Sequence, residues 1–173
     1  MSEVFILSPP SLKAAITFFI LAFLTPVGVL GIAVAFSKTS TSAGILTTIL
    51  IIALLPFALI SWTAFSRRQI EINANEIVVK TAFYTTRVNR HDIGADIRTI
   101  QLKNLQAGSI SSRTNGIGLP GYQAGWFELK NGRSVFVSIT EENILYIPTN
   151  KNFDIILSLP NPNEVISRLK KDK

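Results

Sequence analysis

Residues 126–140 read Trp-Phe-Glu-Leu-Lys-Asn-Gly-Arg-Ser-Val-Phe-Val-Ser-Ile-Thr. Two arms of alternating apolar and polar residues meet at Asn131-Gly132. An Asn-Gly pair readily supplies the two positive φ angles of a type I′ turn, so Trp126–Lys130 and Arg133–Thr140 are expected to form a β-hairpin. Alternation with period two sets one face of each arm on a core and the other toward solvent. Downstream, Ile144–Thr149 and Phe153–Leu159 flank Asn150-Lys151-Asn152 as a second hairpin. The pattern then changes. Asn161 suits a helix N-cap, Pro162 suits the first turn, and Glu164 stands where a capping box places its acid. Val165, Ile166 and Leu169 make one stripe, and Lys170, Lys171 and Lys173 gather where the helix dipole favours cations, so a helix is expected over 162–171.

Upstream, Gln69–Asn73 and Glu76–Lys80 flank Ala74-Asn75 as another hairpin, followed by strands at Tyr84–Asn89 and Ile97–Leu102. Residues 66–173 therefore read as seven or eight antiparallel strands and one helix, a length able to bury a single core.

Ahead of residue 66 the chain is of another kind. Between Lys13 and Arg67 the only charged residue is Lys38, and charged residues are 16% of the whole chain. Ala14–Phe36 and Gly44–Phe65 are uncharged runs of 23 and 22 residues. About 20 apolar residues cross a hydrocarbon core, and in lipid the backbone must satisfy its own hydrogen bonds, so each run is expected to be a transmembrane helix. Core helices of a soluble protein are seldom so long or so free of charge. A signal peptide fits poorly: the leading positive region is weak, the apolar stretch is too long, and a second span follows. The connector 37–43 is short and polar, so the runs form an antiparallel hairpin. Pro26 and Pro56 bend their helices near the middle. Gly28, Gly31 and Ala35 share one face, where small residues allow close helix packing. Neither run holds an ionisable residue, which argues against a transporter or channel. Lys13, Arg67 and Arg68 outnumber Lys38, so both ends of the hairpin are expected in the cytoplasm of an inner-membrane, multi-pass protein. The first 13 residues are too few for a domain, and Val4–Leu7 reads as a short strand or an interfacial anchor.

Several chemistries are excluded or disfavoured. The chain has no cysteine and one histidine, His91, which removes disulfides, thiolate metal sites and His-rich centres. Asp92 and Asp96 near His91 are simpler as loop caps than as a metal or acid–base site. Glu141-Glu142 reads as a solvated turn. No catalytic, metal or cofactor site is expected, and the protein is read as a non-enzyme.

The soluble stretch also carries Gly116-Ile117-Gly118-Leu119-Pro120-Gly121-Tyr122, then Gly125-Trp126-Phe127 and Asn131-Gly132-Arg133, with Ile147-Pro148-Thr149, Ile155-Ile156-Leu157-Ser158 and the closing helix further on. Over about residues 69–171 this resembles the bacterial pleckstrin-homology-like domain family, whose members often follow a transmembrane hairpin. The resemblance implies a bent, partly open barrel of two packed sheets with a C-terminal helix closing one end. It implies binding or assembly rather than catalysis, and carries over no particular ligand. The fold class expected is thus a membrane-anchored α+β chain: an N-terminal transmembrane hairpin followed by a PH-like β-sandwich and a helix.

Gly116-x-Gly118-x-x-Gly121 matches the dinucleotide-binding expression, but that motif needs a following helix to hold pyrophosphate, and here Pro120 and a strand follow. No nucleotide is expected. The stretch Arg113–Gly125 reads as a long glycine-rich loop. Its plain role is tight turning. Its functional reading is a partner- or ligand-binding loop using Arg113, Asn115, Gly116, Gly118, Gly121, Tyr122 and Gln123, since long loops with hydrogen-bonding side chains often recognise something. Residues 66–173 hold 15 basic and 10 acidic residues, net +5. That charge either solubilises the domain or draws it to anionic lipid. The basic residues are not interleaved with exposed-looking aromatics, so no nucleic acid is expected. The turn Asn73-Ala74-Asn75-Glu76 has no basic residue, unlike phosphoinositide-binding relatives of the fold. The expected partners are the lipid bilayer and either another protein or a second copy of the chain.

Overall fold

The computed structural model describes residues 2–35, 67–101, 110–140 and 143–171, and singly Gly44, Ile45, Thr48, Ile49, Ile52, Leu54, Pro56, Ser61, Thr63, Phe65 and Ser66. A short strand, β1 (Glu3–Ile6), precedes a long helix made of α1 (Leu12–Phe19), a π-helical turn (Ile20–Leu24) and α2 (Thr25–Ala35). The strands that follow are β2 (Arg68–Ile72), β3 (Glu76–Thr81), β4 (Tyr84–Asn89), β5 (Arg98–Gln101), β6 (Ile110–Leu119), β7 (Tyr122–Leu129), β8 (Ser134–Ile139), β9 (Asn143–Ile147) and β10 (Phe153–Ser158). The chain closes with α3 (Pro162–Lys171), the helix that the Asn161–Glu164 signals predict.

The strands form two sheets, β1-β2-β3-β4 and β5-β9-β10-β8-β7-β6. Ile70, Ile72, Ile77, Val79 and Val88 of the first face Phe136, Leu145, Ile147, Ile155 and Leu157 of the second, and Val165 and Leu169 of α3 join them. This is the two-layer arrangement that buries one face of each sheet. The six-stranded sheet departs from simple alternation. Val135–Ile139 of β8 and Asp154–Ser158 of β10 are buried at every position. These two central strands run parallel, with Ile155 opposite Phe136, rather than antiparallel. Val135, Val137, Ile139, Ile144, Ile156 and Phe127 make a second apolar cluster on the sheet's other face. Strands covered on both sides need near-continuous apolar sequence, which Val-Phe-Val and Ile-Ile-Leu supply.

The Asn131-Gly132 turn is one residue longer than expected. Gly132 donates to Leu129 O (2.9 Å), and among the turn residues only Gly132 has positive φ (+78°). Lys130-Asn131-Gly132 thus bends as a type I turn followed by a left-handed residue, and Asn131 Oδ1 accepts from Arg133 N–H (3.0 Å).

The N-terminal helix satisfies the length condition for a membrane span. Leu12–Val29 has a mean hydropathy of 2.0 and only 6% of it is buried. A soluble core helix would be mostly covered; here Leu12, Ile16, Phe19, Leu21, Leu24, Val27 and Val29 are exposed. Pro26 has no N–H to return to the preceding turn, and the helix accommodates it by widening just before it. The Thr25 N–H donates to Ile20 O, five residues back, and the Thr25 hydroxyl donates to the same carbonyl (3.1 Å). The two-helix hairpin is not shown. The described residues of 44–65 have helical backbone, but the rest of that run, Phe36 and the connector 37–43 lie outside the described residues, as do Glu141 and Glu142.

The residues before the helix belong to the β fold. β1 lies antiparallel to β2, Glu3 opposite Ile72 and Ile6 opposite Gln69. Leu7 is fully buried in the main core, its N–H donating to Arg68 O (3.1 Å), and Ser8 N–H donates to Ser158 O (3.0 Å). The chain therefore leaves the sandwich at Ser8 beside the point where it returns at Arg67–Arg68. That edge is called here the helix end, and the opposite edge the far end.

Candidate functional site

The segment Arg113–Gly125 is not a loop. It is the β6–β7 hairpin, with Gly116 opposite Gly125 and Leu119 opposite Tyr122, and a bulge between Arg113 and Asn115. Glycine is required where the two backbones crowd. A Cβ on Gly125 (φ +107°) would lie 2.7 Å from Asn115 O, and one on Gly116 would lie 2.7 Å from Ala124 O and 2.9 Å from the Phe127 ring. The turn Pro120-Gly121 reaches α1: a Cβ on Gly121 (φ +78°) would stand 2.2 Å from Ser11 Oγ. Ser11 in turn caps α1 by accepting from Ala14 N–H (3.2 Å).

This docking scatters the expected site residues. Tyr122 is 1% exposed and packs with Ala14, Ala82 and Ala124. Its ring lies 5.3 Å from that of Phe65, which lies 4.7 Å from that of Phe18. Burial pushes the Tyr122 hydroxyl's pKa up, against the Thr81 hydroxyl and the Arg68 charge, which lower it. Tyr122 is a hinge-pin between sandwich and helix, not a presented side chain. Gly116 and Gly121 are spacers. Gln123 is half-buried, while Arg113, Asn115 and Gly118 are exposed on β6, an outer strand of its sheet. Gly28, Gly31 and Ala35 share an exposed stretch of α2, and no described atom lies within 4 Å of a Cβ on Gly28 or Gly31.

The polar groups of the far end form closed networks. Arg133 holds Asp154 through Nε and Nη2 (both 2.9 Å) and also donates to Thr149 O (2.6 Å) and Lys151 O (2.7 Å). Asp154, 3% exposed, further accepts from Tyr146 OH (2.8 Å) and Thr149 N–H (2.9 Å). Burial raises the Asp154 pKa, but Arg133, the Thr149 amide and Tyr146 outweigh it and the net shift is downward. Burial, then the carboxylate it donates to, push Tyr146 up to about 12. Buried Arg90 donates to Leu169 O (3.0 Å) at the C-terminus of α3 and to Asn73 O (3.4 Å). Every acceptor of Asp154 is occupied, so this is a structural clamp. The nearby open groove of about 440 Å³ is lined by Ser2, Asn73, Ala74, Asn75, Glu76 and Asn89, with no basic side chain. His91 is exposed beside Asp92 (3.2 Å), Asp92 also pairs with Lys151 (3.3 Å), and Asp96 pairs with Arg98. Among the described residues no group of three or more metal-ligating side chains gathers.

A two-sheet β fold of this order, closed by a C-terminal helix, has a match by sequence: residues 68–172 fit the bacterial PH domain. The chain belongs to the bacterial PH domain family. No curated protein and no solved structure matches it. The PH domain proper starts at β2, so β1 and the helix stand outside the matched region although β1 completes the domain's first sheet. Domains of this kind are in general non-catalytic binding modules.

One cluster escaped the sequence reading. At the helix end, Nε and Nη1 of Arg68 and the hydroxyls of Ser8 and Thr140 are buried without a hydrogen-bond partner. The signal was present: Arg68 is two residues before Ile70 and four before Ile72, so alternation turns all three to the core.

Proposed function

We propose that this is a membrane-anchored, non-catalytic binding or assembly module that presents its PH domain at the cytoplasmic face, where it binds a partner protein or a second copy of itself. The observation that carries the reading is the β1–β2 pairing. It brings the two ends of the apolar stretch together at one edge of one domain, so any excursion through a membrane crosses it an even number of times. A hairpin of two spans is the simplest such path. The apolar exposure of Leu12–Val29 supports lipid as its surroundings, and the basic residues flanking the stretch support a cytoplasmic domain.

The recognition surface we favour is the outward side of β6. It is an outer strand bearing exposed Ser111 to Asn115, and such strands accept an extended segment through their backbone groups. Cross-linking of the full-length protein in gently solubilised membranes, read by mass spectrometry, tests this. A stoichiometric partner, or a second copy, joined near Arg113 and lost in Arg113→Glu/Asn115→Pro with the fold intact is the expected result. Unchanged capture by that variant rejects the β6 surface.

A further inference from the structure

We propose that the helix end of the sandwich holds the phosphate of an anionic phospholipid, with Arg68 as its cation. Strand register assembles the site. β2 begins at Arg68 and β3 ends at Thr81, directly opposite. β7 begins at Tyr122, β8 ends at Ile139, and β10 ends at Ser158. Ser8 is bound to this edge through Ser158 O, and Thr140 N–H donates to Ser158 Oγ (3.0 Å). A guanidinium and a ring of hydroxyls therefore share the end of the core that faces the membrane helix.

Their hydrogen bonding sets them apart. Thr81 and Ser138 hydroxyls bond each other (2.9 Å). Ser8, 1% exposed, has no partner for its hydroxyl, and Arg68 has none for Nε and Nη1. Among the described residues no carboxylate pairs with Arg68. Nε–H and the Nη1 hydrogens leave different sides of the guanidinium, so each is open to its own charge-assisted bond to an anionic oxygen. Two donors withdrawn from water without an acceptor are disfavoured, and an anion's oxygen removes that cost. Arg68 as a whole is only half-buried, which leaves a way in. Glu141 and Glu142 follow Thr140 in sequence and lie outside the described residues.

The lipid source follows from position, and this step rests on the membrane placement proposed above. α1 starts four residues after Ser8. On the same edge, the β3–β4 turn presents Phe83 at 55% exposure, while its neighbour Ala82 is buried against Ala14 of the helix. An exposed apolar ring beside the start of a span is suited to contact the membrane surface, where phosphates are found.

The test uses the full-length protein in a neutral detergent and reads its thermal midpoint while dihexanoyl phosphatidylglycerol, dihexanoyl phosphatidylcholine or inorganic phosphate is added. Phosphatidylglycerol is expected to raise the midpoint saturably, by about 3–5 °C. Arg68→Gln should weaken that response by about tenfold and Lys170→Gln should leave it unchanged. If Arg68→Gln does not fold, Arg68→Lys and Ser8→Ala carry the comparison, each expected to weaken the response. An equal rise with inorganic phosphate overturns the lipid as ligand, and an equal rise with phosphatidylcholine overturns the preference for an anion. No rise, or a rise that survives the variants, overturns the site. Retention of the protein in alkali-washed membranes is scored separately, so that loss of the membrane placement is told apart from loss of the site.

Discussion

The two ends of the sandwich both turn arginine toward the core, and they treat it oppositely. At the far end Arg133 meets a carboxylate and two carbonyls, and Arg90 meets the last carbonyls of α3. At the helix end Arg68 meets no acceptor for Nε or Nη1. The first arrangement is complete within the chain and locks loop to strand. The second is complete only when something from outside supplies oxygen. A saturated buried network stabilises a fold, whereas an unsaturated one marks a place where the fold is waiting for another molecule.

The largest effect should come from opening the far end. Arg133→Ala strands the Asp154 carboxylate in the core and should cost about 4 kcal/mol, read as a denaturant or thermal melt followed by circular dichroism. Arg68→Gln should cost far less without lipid; a loss as large as that of Arg133→Ala would break the comparison. Next is Gly121→Ala, which puts an ordinary residue at φ +78° and drives a methyl into Ser11. Its expected cost is about 2 kcal/mol, and its effect should appear as loosened packing of sandwich on helix, visible as faster proteolysis near residues 8–12. The smallest change is Tyr146→Phe, about 1 kcal/mol at neutral pH, because Asp154 keeps its other donors. It also sharpens the pH profile. Tyr146 titrates at about 12 in the fold against 10.0 for a free phenol, so the unfolded chain loses its proton first and stability falls as pH rises from 10 toward 12. The phenylalanine variant should show a shallower fall there. Asp154 acts on the acid side: its lowered pKa means stability is present above its ordinary range and is lost as pH falls through the folded value.

The sequence was most readable where local chemistry and global packing agree. β4 and α3 stand where alternation and the Asn161 cap place them. Arg113–Leu119 of β6 looks like a loop in sequence because it is rich in glycine and polar side chains; an outer strand with one exposed side needs no apolar alternation. β8 and β10 look like half-buried strands until their partners are known, since burial on the second face depends on what folds over it. β1 was ambiguous for a different reason: four residues carry little pattern, and its partner is more than 60 residues away. The candidate site shifted for the same cause. Tyr122 is chemically suited to recognition, but the long-range contact with Ala14 and Phe65 consumes it. Arg68 was legible by its register with Ile70, though only the structure shows that it lacks a mate.

The pairing of β1 with β2 also constrains how the molecule is made. A ribosome adds roughly 5–20 residues each second, so several seconds separate the emergence of Glu3–Ile6 from that of Arg68–Ile72. On the membrane-anchored path proposed above, the whole apolar stretch is inserted during that interval while the first strand has no partner. It must stay in the same compartment as the growing domain, unpaired and short enough not to aggregate, until the second strand arrives. The sheet is thus closed by its oldest piece, which keeps both ends of the apolar stretch at one edge of the domain.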